Sequence, residues 1–100
     1  YAIGYSGVGY KTSGVRALPL AGEDGSFYDP TYDNALSGDY PLARFLMVYV
    51  NKKPGQPLDT LTLEFLKYVL SKEGQAIVEK DGYYPVPAEV AEEVIGSLTK

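Results

Sequence analysis

The chain has 100 residues, the length of one ordinary domain that buries roughly two thirds of its unfolded surface. Its formal net charge of -4 argues against a nucleic-acid-binding protein, because such proteins neutralise phosphates with Lys and Arg. The absence of Cys and His excludes thiol nucleophiles, disulfides, zinc sites built on those residues and every catalytic pair that needs His. Because the first residue is Tyr1 rather than Met, we expect a processed chain or a fragment.

The first forty residues predict short strands and long connections. Ala2–Ser6 is typical of a short buried strand, and the alternation over Val15–Leu20 predicts a second strand that ends near Pro19. Glycines make residues 7–14 a turn-rich connection. Residues 21–41 combine acidic side chains with Gly and Pro, so we predict a long loop with one helical turn at Tyr32–Leu36. Their acidic spacing does not match a calcium loop.

The densest apolar segment of the chain is Leu42–Val50. It is too continuous for a strand with one wet face, which predicts a central strand covered on both faces. It is also far shorter than the ~20 residues that span a bilayer. Arg44 lies inside it and would need an anionic partner if buried. The functional interpretation is a contact with an anion or substrate. We favour the structural interpretation, in which Arg44 forms an ion pair or packs its stem while its head reaches water.

Helical spacing takes over in the second half. Asp59 is the predicted cap of a helix that begins after residue 58. Ser71 is the predicted cap of a second helix over Lys72–Lys80, which Gly82 ends. After the extended Tyr83–Pro87, a last helix is predicted over Ala88–Leu98. The apolar stripe of the first helix comprises Leu58, Leu61, Phe65, Leu66, Val69 and Leu70.

Three segments carry a family resemblance when they are taken in order and at this spacing. They are AIGYSGVGY at Ala2–Tyr10, YPLARFLMVYVNK at Tyr40–Lys52, and LSKEGQ at Leu70–Gln75 followed by DGYYP at Asp81–Pro85. Together they resemble the C-terminal part of the phosphate-binding proteins that serve bacterial ABC importers. The resemblance runs from Tyr1 to about Glu93.

The resemblance implies an α/β fold: a partial type II periplasmic-binding-protein-like fold, with a few strands followed by C-terminal helices. Residues 1–41 would end lobe two, residues 42–53 would form the strand that crosses back, and residues 54–100 would supply the closing helices of lobe one. Family members hold phosphate between the lobes with backbone N–H groups at helix N-termini, hydroxyls, an Arg and an Asp, so a net negative charge is compatible with phosphate.

The anion-binding loops of the family have no counterpart here. They are rich in Gly with Ser or Thr, and an Arg-x-x-x-Ser-Gly-Thr segment accompanies them, but this chain contains no Ser-Gly-Thr. No phosphate ligand is therefore carried over. The candidates that the residues themselves offer are Ser6, Ser13 and Arg44.

The function expected is the phosphate-binding component of an ABC importer, present as a C-terminal fragment without the main phosphate ligands. The alternative is a self-associating protein-interaction module with no small-molecule ligand, because a partial core would leave apolar surface exposed. We expect no catalysis, no metal and no cofactor. The resemblance implies inorganic phosphate and the importer's membrane permease as partners, and not nucleic acid. It also implies the periplasm or the cell exterior, with membrane association in Gram-positive-like relatives.

Overall fold

A computed structural model of the chain describes residues 2–99. The chain divides into two compact units, and the boundary lies between Val48 and Tyr49. The α/β class predicted from the sequence is confirmed. Within the described residues the regular elements are a 3-10 turn at Val8–Tyr10, strands β1 (Leu20–Ala21) and β2 (Phe27–Tyr28), and helices α1 (Tyr32–Ser37), α2 (Thr60–Val69), α3 (Lys72–Lys80) and α4 (Ala88–Leu98).

The first unit contains a hairpin where the sequence predicted part of a long loop. β1 and β2 pair antiparallel, with Leu20 opposite Tyr28. The Gly22 N–H donates to the Ser26 carbonyl at 2.9 Å, and Gly25 adopts the left-handed conformation with φ 79°. Five residues connect the two strands, and strands of two residues are too short to show an alternating pattern. This part of the loop prediction was wrong for that reason.

The helical turn predicted at Tyr32–Leu36 is confirmed as α1 and extends to Ser37. The Thr31 hydroxyl accepts a hydrogen bond from the Asn34 N–H at 3.2 Å, which satisfies one of the free donors at the helix start. Gly38 ends the helix in the left-handed conformation, with φ 84°.

Most of the strands predicted from the sequence do not form. Neither Ala2–Ser6 nor Leu42–Val50 forms a strand, and of Val15–Leu20 only Leu20 is paired. A strand exists only when a neighbour supplies ladder hydrogen bonds, and no other segment of residues 2–99 pairs with these two runs. The expectation that Leu42–Val50 is covered on both faces is likewise wrong for this chain, since Leu42 is 74% exposed and Tyr49 91% exposed.

The second unit holds the three longer helices at the predicted positions. The Asp59 carboxylate accepts from the Thr62 N–H at 3.0 Å and caps α2. The Ser71 hydroxyl accepts from the Gly74 N–H at 3.1 Å and caps α3. Gly82, with φ 97°, follows the end of α3, and α4 has the predicted bounds. These predictions succeeded because caps and helical periodicity are local signals.

The core of the second unit is small. Its buried apolar side chains are Leu58, Leu66 in α2 and Ala91 in α4, and α2 packs against both α3 and α4. Only some residues of the apolar stripe predicted on α2 are buried. Leu66 is buried, whereas Leu61 is 80% exposed and Phe65 is 59% exposed.

Candidate functional site

The three candidate ligands lie in the first unit, in segments without strand or helix. Ser6, Ser13 and Arg44 are all exposed. Among the described residues none of these three side chains makes a hydrogen bond or an ion pair. Arg44 is exposed because the apolar run around it is itself uncovered, so the burial that would require an anionic partner does not occur. The role of all three in anion binding stays a prediction.

A second polar cluster lies on the hairpin turn. The Tyr28 hydroxyl donates to Asp24 Oδ2 at 2.5 Å, and the Ser26 N–H donates to Asp24 Oδ1 at 2.9 Å. The Tyr28 hydrogen bond, followed by the Ser26 bond, lowers the pKa of Asp24. The same Asp24 carboxylate raises the pKa of Tyr28. Both carboxylate oxygens already accept hydrogen bonds, so this cluster stabilises the turn and is unsuited to an anion.

The starts of the helices are the next place where an anion could bind, because free backbone N–H groups and the helix dipole favour negative charge there. In this chain an acid lies at or close to the start of each α-helix that the structure describes. Each of the four α-helices among the described residues has a carboxylate at its cap or in its first turn; these are Asp33, Asp59, Glu73 and Glu89. A phosphate at any of these ends would meet a like charge.

At the start of α2 the carboxylate of Asp59 holds the place that a bound phosphate would need. The hydrogen bond from Thr62 lowers the pKa of Asp59, so the carboxylate is charged at neutral pH. Its oxygen takes the position that an anion's oxygen would occupy at the helix start. The sequence identified Asp59 as a cap. The acids in the first turns of α3 and α4, Glu73 and Glu89, carry no comparable sequence signal, because their role depends on where each helix begins.

One shallow depression, of about 370 Å³, lies on the second unit and is lined by Ile77, Val78, Lys80 and Asp81. It offers a single ammonium group, accompanied by a carboxylate, and so lacks the convergent donors that a phosphate needs. No cluster of three metal-binding side chains is found within residues 2–99. None of the helices in that range has the length and apolar character needed to cross a membrane.

Comparisons with known proteins identify relatives for nearly the whole chain. Residues 1–73 match the family model described as a PBP superfamily domain. The chain is 58% identical over 97 residues to the phosphate-binding protein PstS of Pseudomonas aeruginosa, which covers 96% of this chain and 30% of that protein. It is 38% identical over 85 residues to the phosphate-binding protein PstS 2 of Streptococcus agalactiae, which covers 85% of this chain and 26% of that protein. The chain therefore spans less than a third of the length of these relatives.

Proposed function

This chain belongs to the PBP superfamily, and from that membership we propose that it forms part of the phosphate-binding component of an ABC importer. The observation that carries the proposal is the 58% identity over 97 residues to a Pseudomonas protein named for phosphate binding. Identity at that level over 96% of the chain involves far more positions than any single motif. The role is binding and not catalysis.

Within that component, residues 1–41 would complete lobe two, residues 42–53 would cross between the lobes, and residues 54–100 would supply the closing helices of lobe one. Two observations support this division. The boundary between the two compact units lies between Val48 and Tyr49, inside the proposed crossing segment. Within residues 2–99, every helix of nine or more residues follows that segment.

The main phosphate ligands would lie outside these hundred residues. The carboxylates at the helix starts support this, because they repel a phosphate at the positions where backbone donors could hold it. The part described here would act as scaffold: it would close one lobe and connect the two. Exposed side chains such as Arg44 could add to a site only together with the rest of the protein.

A component of this kind would release phosphate to the membrane permease of the importer, and it would work in the periplasm or at the cell exterior. In Gram-positive-like relatives it would be associated with the membrane. Phosphate itself would be the only small-molecule ligand, without a cofactor.

The proposal is tested with a chimera in which this chain replaces the matching 97 residues of the Pseudomonas relative. Phosphate would be titrated into the chimera by calorimetry, with sulfate as the control anion. We expect saturable phosphate binding within about tenfold of the relative's own affinity, and no heat from sulfate. A folded, monodisperse chimera that does not bind phosphate would contradict the proposal.

The alternative function is self-association through exposed apolar side chains. The observation in its favour is that large apolar residues such as Ile3 (86% exposed) and Met47 (68% exposed) face solvent. Sedimentation of the chain over a range of concentrations separates the two functions. A stable dimer of this chain, combined with a chimera that ignores phosphate, would favour the interaction module.

A further inference from the structure

The sequence contains two Asp-Gly pairs, Asp24-Gly25 in the hairpin turn and Asp81-Gly82 directly after α3. Glycine has no Cβ atom, so its backbone nitrogen is the least hindered nucleophile that can follow an aspartate. We propose that Asp81-Gly82 is a site of covalent self-modification, where the aspartyl bond isomerises to an isoaspartyl bond, and that Asp24-Gly25 is protected from the same reaction. The inference does not depend on the proposed function.

The reaction needs only the chain and water. The Gly82 nitrogen attacks the carboxyl carbon of the protonated Asp81 side chain, a C–N bond forms, and the amide proton leaves with the carboxyl hydroxyl as water. Water then adds to one carbonyl of the resulting cyclic succinimide, and a proton returns to the Gly82 nitrogen. Opening at the main-chain carbonyl gives isoaspartate, and opening at the other carbonyl restores aspartate. The water released equals the water consumed, and nothing is oxidised or reduced.

At Asp24 two hydrogen bonds oppose this reaction. Oδ1 accepts from the Ser26 N–H at 2.9 Å, and Oδ2 accepts from the Tyr28 hydroxyl at 2.5 Å. Such donors stabilise the charged carboxylate, which is the form that a nucleophile attacks least readily, and they lower the pKa of Asp24. Ring closure at Asp24 therefore requires both bonds to break first.

No such restraint acts on the side chain of Asp81. It is exposed, and within residues 2–99 it makes no hydrogen bond or ion pair. Asp81 also borders the shallow depression on the second unit, so the water that opens the ring reaches it directly.

The backbone amides of the two pairs are held to a similar degree. The Gly25 N–H donates to the Gly22 carbonyl at 3.0 Å, and the Gly82 N–H donates to the Glu79 carbonyl at 3.1 Å. Attack requires that the amide bond of each pair opens, which fraying at the end of α3 allows for Gly82. The carboxylates, rather than the amides, therefore distinguish the two sites.

Isomerisation would remove the structure that ends α3. The Gly82 N–H bond to Glu79, the Tyr83 N–H bond to the Val78 carbonyl at 3.2 Å and the φ of 97° at Gly82 form a Schellman motif. Isoaspartate inserts an additional backbone carbon before Gly82 and moves both donors away from their carbonyls. The Gly82 and Tyr83 amides of the modified chain should therefore exchange hydrogen with solvent faster.

Ageing of the chain in warm neutral buffer made with heavy-oxygen water tests the proposal. Each ring that water opens takes up heavy oxygen, and isoaspartate is separated from aspartate by peptide chromatography. We expect label and isoaspartate to accumulate at Asp81 about fivefold or more faster than at Asp24, because one ordinary hydrogen bond changes an equilibrium by about that factor. Asp81→Glu is the matched control: it keeps the charge but would have to close a larger ring, so position 81 should stay unlabelled.

Two further measurements separate the effect of structure from that of sequence. In urea, where the hydrogen bonds of both sites are lost, the two pairs should react at similar rates. In folded Tyr28→Phe the rate at Asp24 should rise about fivefold, and the rate at Asp81 should not change.

Three results would overturn the proposal. The first is a reaction at Asp24 that equals or exceeds that at Asp81 in the folded chain. The second is a difference between the two pairs that persists in urea. The third is a folded chain without isoaspartate at Asp81 after the same period of ageing.

Discussion

The side-chain carbonyl of Gln75 accepts a hydrogen bond of 2.7 Å from the backbone N–H of Val86. The carboxamide N–H of Gln75 in turn donates to the Val69 carbonyl at 2.8 Å. One side chain on α3 therefore joins the end of α2 to the segment that leads into α4. These are partly buried backbone groups, and they would lack a partner without it.

The bridge predicts a large effect for Gln75→Ala. Removing the carboxamide leaves a backbone donor and a backbone acceptor unpaired, each costing about 1–3 kcal/mol when buried. We expect the free energy of unfolding to fall by about 2 kcal/mol in urea titrations. Gln56→Ala is the control, because the Gln56 side chain is exposed in a loop and its loss should change stability by less than about 0.5 kcal/mol.

Gly74 lies where α3 approaches the end of α2. A Cβ atom at this position would overlap the Tyr68 carbonyl oxygen and lie 2.7 Å from the Val69 carbonyl oxygen. Gly74→Ala should therefore destabilise the chain by about 2 kcal/mol or more. In an open helix position the same change stabilises by about 1 kcal/mol.

Gly96→Ala in α4 is the matched control for the direction of the stability change, because an added Cβ there meets nothing within 4 Å. We expect Gly96→Ala to raise the urea midpoint and Gly74→Ala to lower it. Two substitutions of equal sign would show that α3 does not approach α2 as closely as described.

Asp59 should make α2 sensitive to acid. Its folded-state pKa is lowered by the Thr62 hydrogen bond from the ordinary value of 3.8. The stabilisation by the charged cap is therefore present above the unfolded-state pKa and lost as pH falls through the lower folded-state pKa. Asp59→Asn keeps an acceptor at the cap but cannot titrate.

The comparison is made by thermal unfolding at several pH values from 7 down to about 3. We expect the gap in stability between the parent chain and Asp59→Ala to narrow as the pH falls. The gap between Asp59→Asn and Asp59→Ala should stay constant. If the difference in stability between the parent chain and Asp59→Ala does not change over this pH range, the assignment of Asp59 as a charged cap is contradicted.

Tyr28 should control the titration of Asp24. In Tyr28→Phe the hydroxyl donor is lost, so the pKa of Asp24 should rise towards its ordinary value of 3.8. Carboxyl chemical shifts followed by NMR during an acid titration would measure this. Tyr49→Phe serves as control. Because Tyr49 is 91% exposed, the loss of its hydroxyl should not change the pKa of Asp24.

The sequence predicted the second unit far better than the first. The caps Asp59 and Ser71, the stop at Gly82 and the periodicity of Ala88–Leu98 are encoded within a few residues, and the helices follow them. The run Leu42–Val50 has the composition of a buried strand, but a strand depends on a partner far along the chain or outside it. For the same reason Arg44, which lies in this run, is exposed.

The candidate site was predictable mainly by exclusion. The lack of Ser-Gly-Thr already indicated that the family's phosphate loop is missing from these residues. The acids at the helix starts, such as Glu73 and Glu89, add the electrostatic reason, and they became meaningful only once the helix bounds were known. The relatives contain many further residues, since the match covers 30% of the Pseudomonas protein, and these hundred residues carry no signal for contacts with them.

The measurement that tests the account most directly is a calorimetric titration of the 100-residue chain itself with inorganic phosphate, using sulfate as control. The main phosphate ligands are proposed to lie outside these residues, so we predict no binding tighter than millimolar, about -4 kcal/mol. Phosphate-selective binding with a micromolar Kd would contradict it. It would mean that Ser6, Ser13 and Arg44, or a pair of associated chains, build a complete site.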